Sequence, residues 1–420
     1  MKNFDLIKSY RGLPRSIYII FFASIINNMG NFVMPFLTMY LTYNVGISVG
    51  IVGIVVAANS ALGMAGSLIG GKLIDTKGRK YTFIIFRTLS ALSVLACTFI
   101  KSPAIVVVLL MGATFFGGFS QPVYSTMITD LTKGEERKVA FSLEYMAINI
   151  GFSVGPLIAA FLYKNYIIGL FLGDAITTLI SIILVGVFVP ETIGLRKEKD
   201  SKTILSNSNF LEKDETGGLF TALLRRKTLM VFSFIIVIYF IVFSQFNFGL
   251  SLQIGEVFKD NMPVVFGILM TINAMMCSLL TPMIIVATKN TSSSLSIALG
   301  GILYALGFGM MFFINSFYMF VLSTVIWTAG EILVANNTSV YIASHTPATH
   351  RGRFNSIFPM IRRLGFILGP LLAGACIKYY NIRILWIFVG SLALIGAAMM
   401  YRLYNLDRII ATEESSLEKN

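Results

Sequence analysis

The sequence predicts an all-α polytopic membrane protein with twelve transmembrane helices in two pseudo-symmetric six-helix bundles. Three observations carry this expectation. Of the 420 residues, 56% are hydrophobic and only 13% are charged, about half the charged share of a typical soluble domain. Apolar runs long enough to cross the hydrocarbon core, about 20 residues each, recur along the whole chain. The chain also repeats itself at a constant offset of 214 residues. An outer-membrane barrel is excluded, because its strands would alternate apolar and polar residues in segments of about 10.

The spans follow in order. The first, 16–42, comes after the basic arm MKNFDLIKSYRGLPRS. It is too long for a cleaved leader and has no clear small-residue cleavage site, so it is read as a retained helix. Spans 47–73 and 81–100 flank the polar loop GGKLIDTKGRK, and 103–130, 139–163 and 166–190 complete the first half. A long polar segment then separates the halves. The second half holds 229–255, 262–288, 294–314, 317–343, 353–377 and 382–404. The expected domains are therefore a bundle over 1–190, a cytoplasmic loop over 191–228, a bundle over 229–405 and a cytoplasmic tail over 406–420. Cys97, Cys277 and Cys376 all lie in apolar runs and read as core residues, with no disulfide framework.

Charge sets the orientation. With the N-terminus inside, 25 of the 33 Lys and Arg fall on the cytoplasmic side. Five fall outside, and Arg87, Arg362 and Arg363 lie within spans. This is a strong positive-inside bias. It places both termini in the cytoplasm and accounts for the net charge of +13 without a nucleic-acid partner. The expected location is a bacterial cytoplasmic (inner) membrane, with the lipid bilayer, a small-molecule substrate and protons as partners and a monomer as the working form.

The repeat sorts residues. EERKVAFSLEYMAINIGFSVGPLIAAFLYKNY aligns with HRGRFNSIFPMIRRLGFILGPLLAGACIKYY, pairing Arg137 with Arg351, Gly155-Pro156 with Gly369-Pro370 and Lys164 with Lys378. The same register pairs Gly53 with Gly267 and Asn59 with Asn273. Residues shared by both halves weigh towards architecture, and polar residues found in one half weigh towards a specific task.

The loop between spans 2 and 3, with Gly71, Asp75, Gly78, Arg79 and Lys80, resembles the signature loop of the major facilitator superfamily. Parallel six-helix repeats fit that superfamily, in which substrate sites lie near the midplane and the halves rock around them. Its glycines permit a tight turn, Asp75 suits a helix N-terminus, and Arg79 can pair with Asp130 at the end of span 4. Together these residues are expected to form a cytoplasmic gate. GFSVGPLIAAFL in span 5 resembles the superfamily's antiporter signature, with Ala159 and Ala160 where a Gly pair is usual. Its Gly155 and Pro156, like Gly369 and Pro370 in span 11, are expected to bend their helices and admit close neighbours.

Intramembrane charges are costly and usually carry a partner or a task. Glu331 lies about 13 residues from the cytoplasmic end of span 10, or roughly 20 Å at helical rise. Its repeat mate is Gly117. Two readings stay open: a fixed ion pair with Arg363 at similar depth, or a proton carrier. Glu144 in span 5 is shallower, with Phe358 as its mate. Asp174 in span 6 is a weaker candidate. Asn27 and Asn31 in span 1, Gln245 and Asn247 in span 7, and Tyr145, Tyr239 and Trp327 are candidate cavity residues, with Arg363 beside them.

ERKVAFSLEYMAIN, QFNF and GEILVANNTSV are similar to the corresponding segments of the superfamily's drug/proton antiporter type. That resemblance implies proton-coupling roles for Glu144 and Glu331. A further span-7 acid of that type falls here on Asn247. The expected function is proton-coupled efflux of hydrophobic, cationic compounds by alternating access. The alternatives are a specific metabolite, sugar or peptide transporter on the same fold, and a transport-inactive sensor or lipid-handling protein. No catalytic constellation, metal cluster or cofactor motif is present in the sequence. The two histidines, His345 and His350, both lie near one loop.

Overall fold

The computed structural model describes residues 12–194, 227–345 and 351–417. The N-terminal arm, most of the expected central loop and His350 lie outside the described residues. In chain order the helices of the first half are α1 (Arg15–Met29), α2 (Val33–Met39), α3 (Val49–Lys77), α4 (Arg79–Ala96), α5 (Pro103–Ser120), α6 (Val123–Leu131), α7 (Gly134–Asn165) and α8 (Ile167–Phe188). The second half has α9 (Lys227–Phe243), α10 (Gly249–Phe258), α11 (Met262–Thr288), α12 (Ser293–Gly309), α13 (Phe317–His345), α14 (Arg351–Tyr379) and α15 (Ile382–Leu417).

Ten stretches among the described residues are long and apolar enough to cross a membrane. One, Thr228–Thr288, is 61 residues long and contains α9, α10 and α11. The expected span 81–100 corresponds to α4, which is not among the ten, because Arg79, Lys80 and Arg87 interrupt its apolar character. The last helix continues to Leu417, into the segment expected as a tail.

Three expected spans are interrupted. The first breaks between α1 and α2, the fourth at Gln121-Pro122, and the seventh at the 3-10 turn Ser244–Phe246. A break inside hydrocarbon frees backbone groups that must be satisfied by protein. At the first break Asp174 does this: its Oδ2 accepts the N–H groups of Phe32 and Val33, each at 3.1 Å. This acid therefore caps α2 from a neighbouring helix.

The helices gather into two compact units. The first comprises Met1–Tyr40, Ala58–Phe210 and Phe266–Ala274. Its core includes Ile17, Ile20, Phe83, Val123, Met127 and Ala140. Backbone packs tightly on backbone: a Cβ at Gly118 would lie 2.5 Å from the Gly63 carbonyl oxygen, the close approach that small residues allow between membrane helices.

The second unit comprises Leu41–Ala57, Leu211–Val265 and Met275–Asn420. Trp327 and Trp386 are fully buried, and both stack on Phe308. At the end of α12 the carbonyls run out of helical partners. Gln253 Nε2 donates to the carbonyl of Met311 at 2.8 Å, and Arg383 Nη1 donates to those of Phe312 and Ile314 at 3.0 and 2.8 Å. Arg383→Ala should cost about 1.5–3 kcal/mol, the range for hydrogen bonds to a charged donor, read as a lower unfolding midpoint in detergent.

Each unit takes a short piece from the other half of the sequence, and the repeat accounts for both. A Cβ at Gly53 would lie 2.5 Å from the Pro370 carbonyl oxygen, and one at Gly267 would lie 2.7 Å from that of Pro156. Gly53 and Gly267 are repeat mates, as are Pro156 and Pro370. The same contact is thus made twice, once in each unit.

Candidate functional site

The signature loop is built first by Gly78. Its φ of 107° lies where L side chains are disfavoured, and a Cβ there would meet Glu191 Oε2 at 2.6 Å. This turn starts α4 with Arg79, whose side chain is 1% exposed. Arg79 Nε donates to Asp130 Oδ2 at 2.9 Å, Nη1 donates to the Ile74 carbonyl at 2.9 Å, and Nη2 lies 3.6 Å from Asp75 Oδ1. Asp75 is the outlying member, half-exposed, and Gly71 stands in open space. Two residues that the sequence reading left in the central loop complete the cluster. Glu191 accepts the N–H groups of Arg79 and Lys80 at 2.9 and 3.0 Å, capping α4. Thr192 Oγ1 donates to Asp130 Oδ2 at 2.9 Å. The available signal was an acid just after span 6, since helix N-termini attract acids.

In the first unit Glu144 accepts a hydrogen bond from Ser24 Oγ at 2.8 Å, while its Oε2 is buried with no partner among the described residues. Asn28 Nδ2 donates to the Ser24 carbonyl at 2.8 Å, which holds that serine's neighbourhood in place. Tyr124, hydrogen-bonded to Ser181 Oγ at 2.8 Å, is electrostatically coupled to both Glu144 and Arg87. Asn27 accepts a hydrogen bond from Arg87 Nη2. Asn31 lies at the α1–α2 break, with its backbone N–H on the Asn28 carbonyl at 3.4 Å. Tyr145 stands apart from these contacts, with an exposed ring.

In the second unit Glu331 accepts from Cys277 Sγ at 3.6 Å. Arg362 and Tyr304 are both electrostatically coupled to it. Arg362, which lies over the Phe240 ring at 5.1 Å, feels the charge of Glu331, and half-buried Arg363 feels that of Arg362. Next to Glu331, α12 and α13 touch at Gly300 and Gly330, where a Cβ on Gly330 would lie 2.8 Å from the Gly300 carbonyl oxygen.

Trp327 packs with Phe243 and Phe246 at 6.1 and 6.0 Å, and its Nε1 is buried without a partner among the described residues. Tyr239 is buried against Gly301 and donates to the Ile297 carbonyl at 3.3 Å, so its hydroxyl serves the α9–α12 contact. Gln245 is buried, with Nε2 on the Ile241 carbonyl at 3.1 Å. Its Oε1 and Asn247 Oδ1 are buried without partners among the described residues.

The Gly-Pro steps serve close approach. A Cβ at Gly155 would lie 2.6 Å from the Met29 carbonyl oxygen, at the α1–α2 break. At its mate Gly369 a Cβ would meet the Ser244 hydroxyl and the Ile241 carbonyl, where the seventh span is interrupted. Helix α7 continues through Pro156.

At the end of α13, His345 Nε2 lies 3.5 Å from Asp407 Oδ1, and Nδ1 is 2.9 Å from the Tyr341 carbonyl. The Asp407 hydrogen bond raises the His345 pKa above its ordinary 6.5, against the opposing effect of burial. A pKa raised on folding adds stability that is full below the unfolded value and fades as pH rises through the folded one. The gain should be no more than about 1 kcal/mol for this part-exposed pair. Unfolding midpoints should therefore fall as pH rises through and above the ordinary histidine value of 6.5, by a margin that Asp407→Asn removes.

The family model described as "Major Facilitator Superfamily" matches residues 19–289 and 248–419. The chain is 25% identical over 398 residues to the uncharacterized MFS-type transporter YttB of Bacillus subtilis (strain 168), covering 92% of this chain and 94% of that protein. It is 22% identical over 401 residues to a Na(+), Li(+), K(+)/H(+) antiporter of Planococcus maritimus, covering 89% and 92%. Among solved structures, a POT family transporter in complex with 5-aminolevulinic acid superposes with a TM-score of 0.77 at 15% identity, covering 93% and 96%. The nucleoside transporter NupG gives 0.74 at 14% identity, covering 93% and 99%. With this fold and a family match over nearly its whole length, the chain belongs to the Major Facilitator Superfamily and is a multi-pass secondary transporter rather than an enzyme.

Proposed function

We propose that the protein moves a specific polar solute across the bacterial cytoplasmic membrane in exchange or in company with protons, by alternating access. The observation that carries this reading is the setting of Glu331. This acid stands where the repeat has glycine, and it is coupled to the Arg362 guanidinium and bonded to the Cys277 thiol. A site holding both signs of charge suits a solute with polar or ionised groups better than a purely lipophilic cation. The solved structures of like fold include transporters of peptides and nucleosides, which are polar solutes of that kind.

In this reading the twelve expected spans form two bundles, at 1–190 and 229–405, with both termini cytoplasmic and a monomer as the working unit. Glu331 and Glu144 carry protons, and Arg362 releases Glu331 when solute or proton arrives. The Arg79–Asp130 cluster, with Asp75, Glu191 and Thr192, stabilises one state of the cytoplasmic side.

A second reading is efflux of hydrophobic cations in exchange for protons. It is favoured by the aromatic group Phe243, Phe246 and Trp327, which could receive a cation through ring faces.

Purified protein in liposomes with an imposed pH gradient separates the two. Uptake or counterflow of a dipeptide or nucleoside supports the first reading, and accumulation of a lipophilic cationic dye supports the second. A protein that shifts no protons with any such solute is not a proton-coupled transporter.

A further inference from the structure

We propose that Arg87 and Asn27 form an anion-binding site in the first unit that holds a carboxylate or phosphate group of the transported solute. This rests on the transport reading above and narrows its substrate class.

Arg87 is the ninth residue of α4, roughly 12 Å along the helix from its start at helical rise. A charge at such a place is costly unless something answers it. The same helix shows how a structural arginine is answered: Arg79 is 1% exposed, paired with Asp130 and hydrogen-bonded to a backbone carbonyl. Arg87 is different. It is only half-buried, and among the described residues its one hydrogen bond goes from Nη2 to the neutral Asn27 amide oxygen. It makes no ion pair there.

The nearby acids do not touch the guanidinium. Asp174 feels the charge of Arg87, but its Oδ2 is committed to the N–H groups of Phe32 and Val33. Glu144 is bonded to Ser24. These acids lower the cost of keeping the cation in place and leave its Nε and Nη1 donors without an acceptor among the described residues. Asn27 accepts through Oδ1, so its Nδ2 hydrogens are also available, with no acceptor among the described residues. A planar guanidinium beside an amide N–H₂ is a donor array suited to the paired oxygens of a carboxylate or phosphate.

The repeat makes the same point from another side. Arg87 lies beside Gly117, where a Cβ would come within 3.3 Å of Nη1. The mates of Arg87 and Gly117 at offset 214 are Gly301 and Glu331. The fold itself therefore asks for neither charge. Each half places one charged side chain on the helix pair where the other half keeps a glycine.

The test is a thermal-stability titration of the purified full-length protein. The probes are succinate, dialanine, dialanine amide, glycerol 3-phosphate and uridine. At least one anion should raise the wild-type midpoint. Dialanine outperforming its amide would mark a carboxylate, and glycerol 3-phosphate alone would mark a phosphate. Arg87→Gln should abolish the shift, Arg87→Lys should weaken the apparent affinity at least about tenfold, or about 1.4 kcal/mol, and both should keep the unliganded midpoint. Asn27→Asp supplies an internal carboxylate to Arg87 and should fold normally while losing anion binding. The proposal is overturned if no anion stabilises the wild type, or if Arg87→Gln responds as wild type does. Proton flux in liposomes separates the two ideas. A wild type that transports but ignores anions sinks the site alone, and a wild type that binds anions but never moves solute sinks the transport reading.

Discussion

Glutamine at position 331 is expected to leave the protein folded and inserted but unable to concentrate solute under a pH gradient. The expected loss in gradient-driven accumulation is at least about tenfold, equivalent to about 1.4 kcal/mol, while counterflow without a gradient survives. Glutamine keeps the size and hydrogen-bonding reach of the acid, so the Cys277 thiol still has an acceptor. What disappears is the titratable charge. If Glu331 is instead a fixed structural partner of Arg362, the outcome differs in kind. Loss of a fixed ion-pair partner would lower the unfolding midpoint of Glu331→Gln, and adding Arg362→Gln would restore it. A double-mutant cycle on stability, run beside the flux assay, therefore decides between a switch and a clamp. Unchanged accumulation in the single variant removes Glu331 from the coupling pathway.

The largest expected loss of stability belongs to Arg79→Ala. Its guanidinium is buried, bonded to Asp130 at 2.9 Å and to the Ile74 carbonyl. Truncation takes the cation away from buried Asp130 and leaves the neutral Thr192 hydroxyl on the same carboxylate oxygen. The expected cost is about 3–5 kcal/mol. Lysine keeps the charge but cannot form the fork that reaches both Asp130 and Ile74, so Arg79→Lys should fall between the two. Glu191→Gln tests the other end of the cluster. It keeps one acceptor for the N-terminus of α4 but loses the charge, at about 0.5–2 kcal/mol. A wild-type midpoint for Arg79→Ala in detergent would mean that the pair contributes specificity rather than stability.

Much of the helical order was legible, because apolar runs of membrane length and a gapless repeat are strong signals. The interruptions were less so. The α1–α2 break depends on Asp174 reaching across from another helix, a partnership that no local pattern shows. Helix α4 falls outside the ten stretches for a local reason, the basic residues Arg79, Lys80 and Arg87 within one short helix. The signature loop was readable down to the Arg79–Asp130 pair, since its residues are close in sequence or carry family-typical spacing. Glu191 and Thr192 were not, because they sit past the last residue of span 6, where composition says only "loop". At Glu331 the sequence offered two adjacent arginines, and only helix rotation decides which of them is felt. The reading left Glu331 open between a fixed pair with Arg363 and a proton carrier, and the structure brings Arg362 within reach of its charge. Tyr239 was a candidate cavity residue by type, and what no local pattern shows is its contact with Gly301.

The exchange of short pieces between the units bears on the order of synthesis. A ribosome releases the first half of this chain well before Phe266 exists, so the first unit cannot close around Phe266–Ala274 until the second half is already being inserted. The second unit must likewise wait for a piece, Leu41–Ala57, that entered the membrane long before its neighbours. The matched contacts Gly53–Pro370 and Gly267–Pro156 are thus late events in biogenesis. A chain severed in its central loop would give two polypeptides that each lack part of their own unit and complete themselves only together.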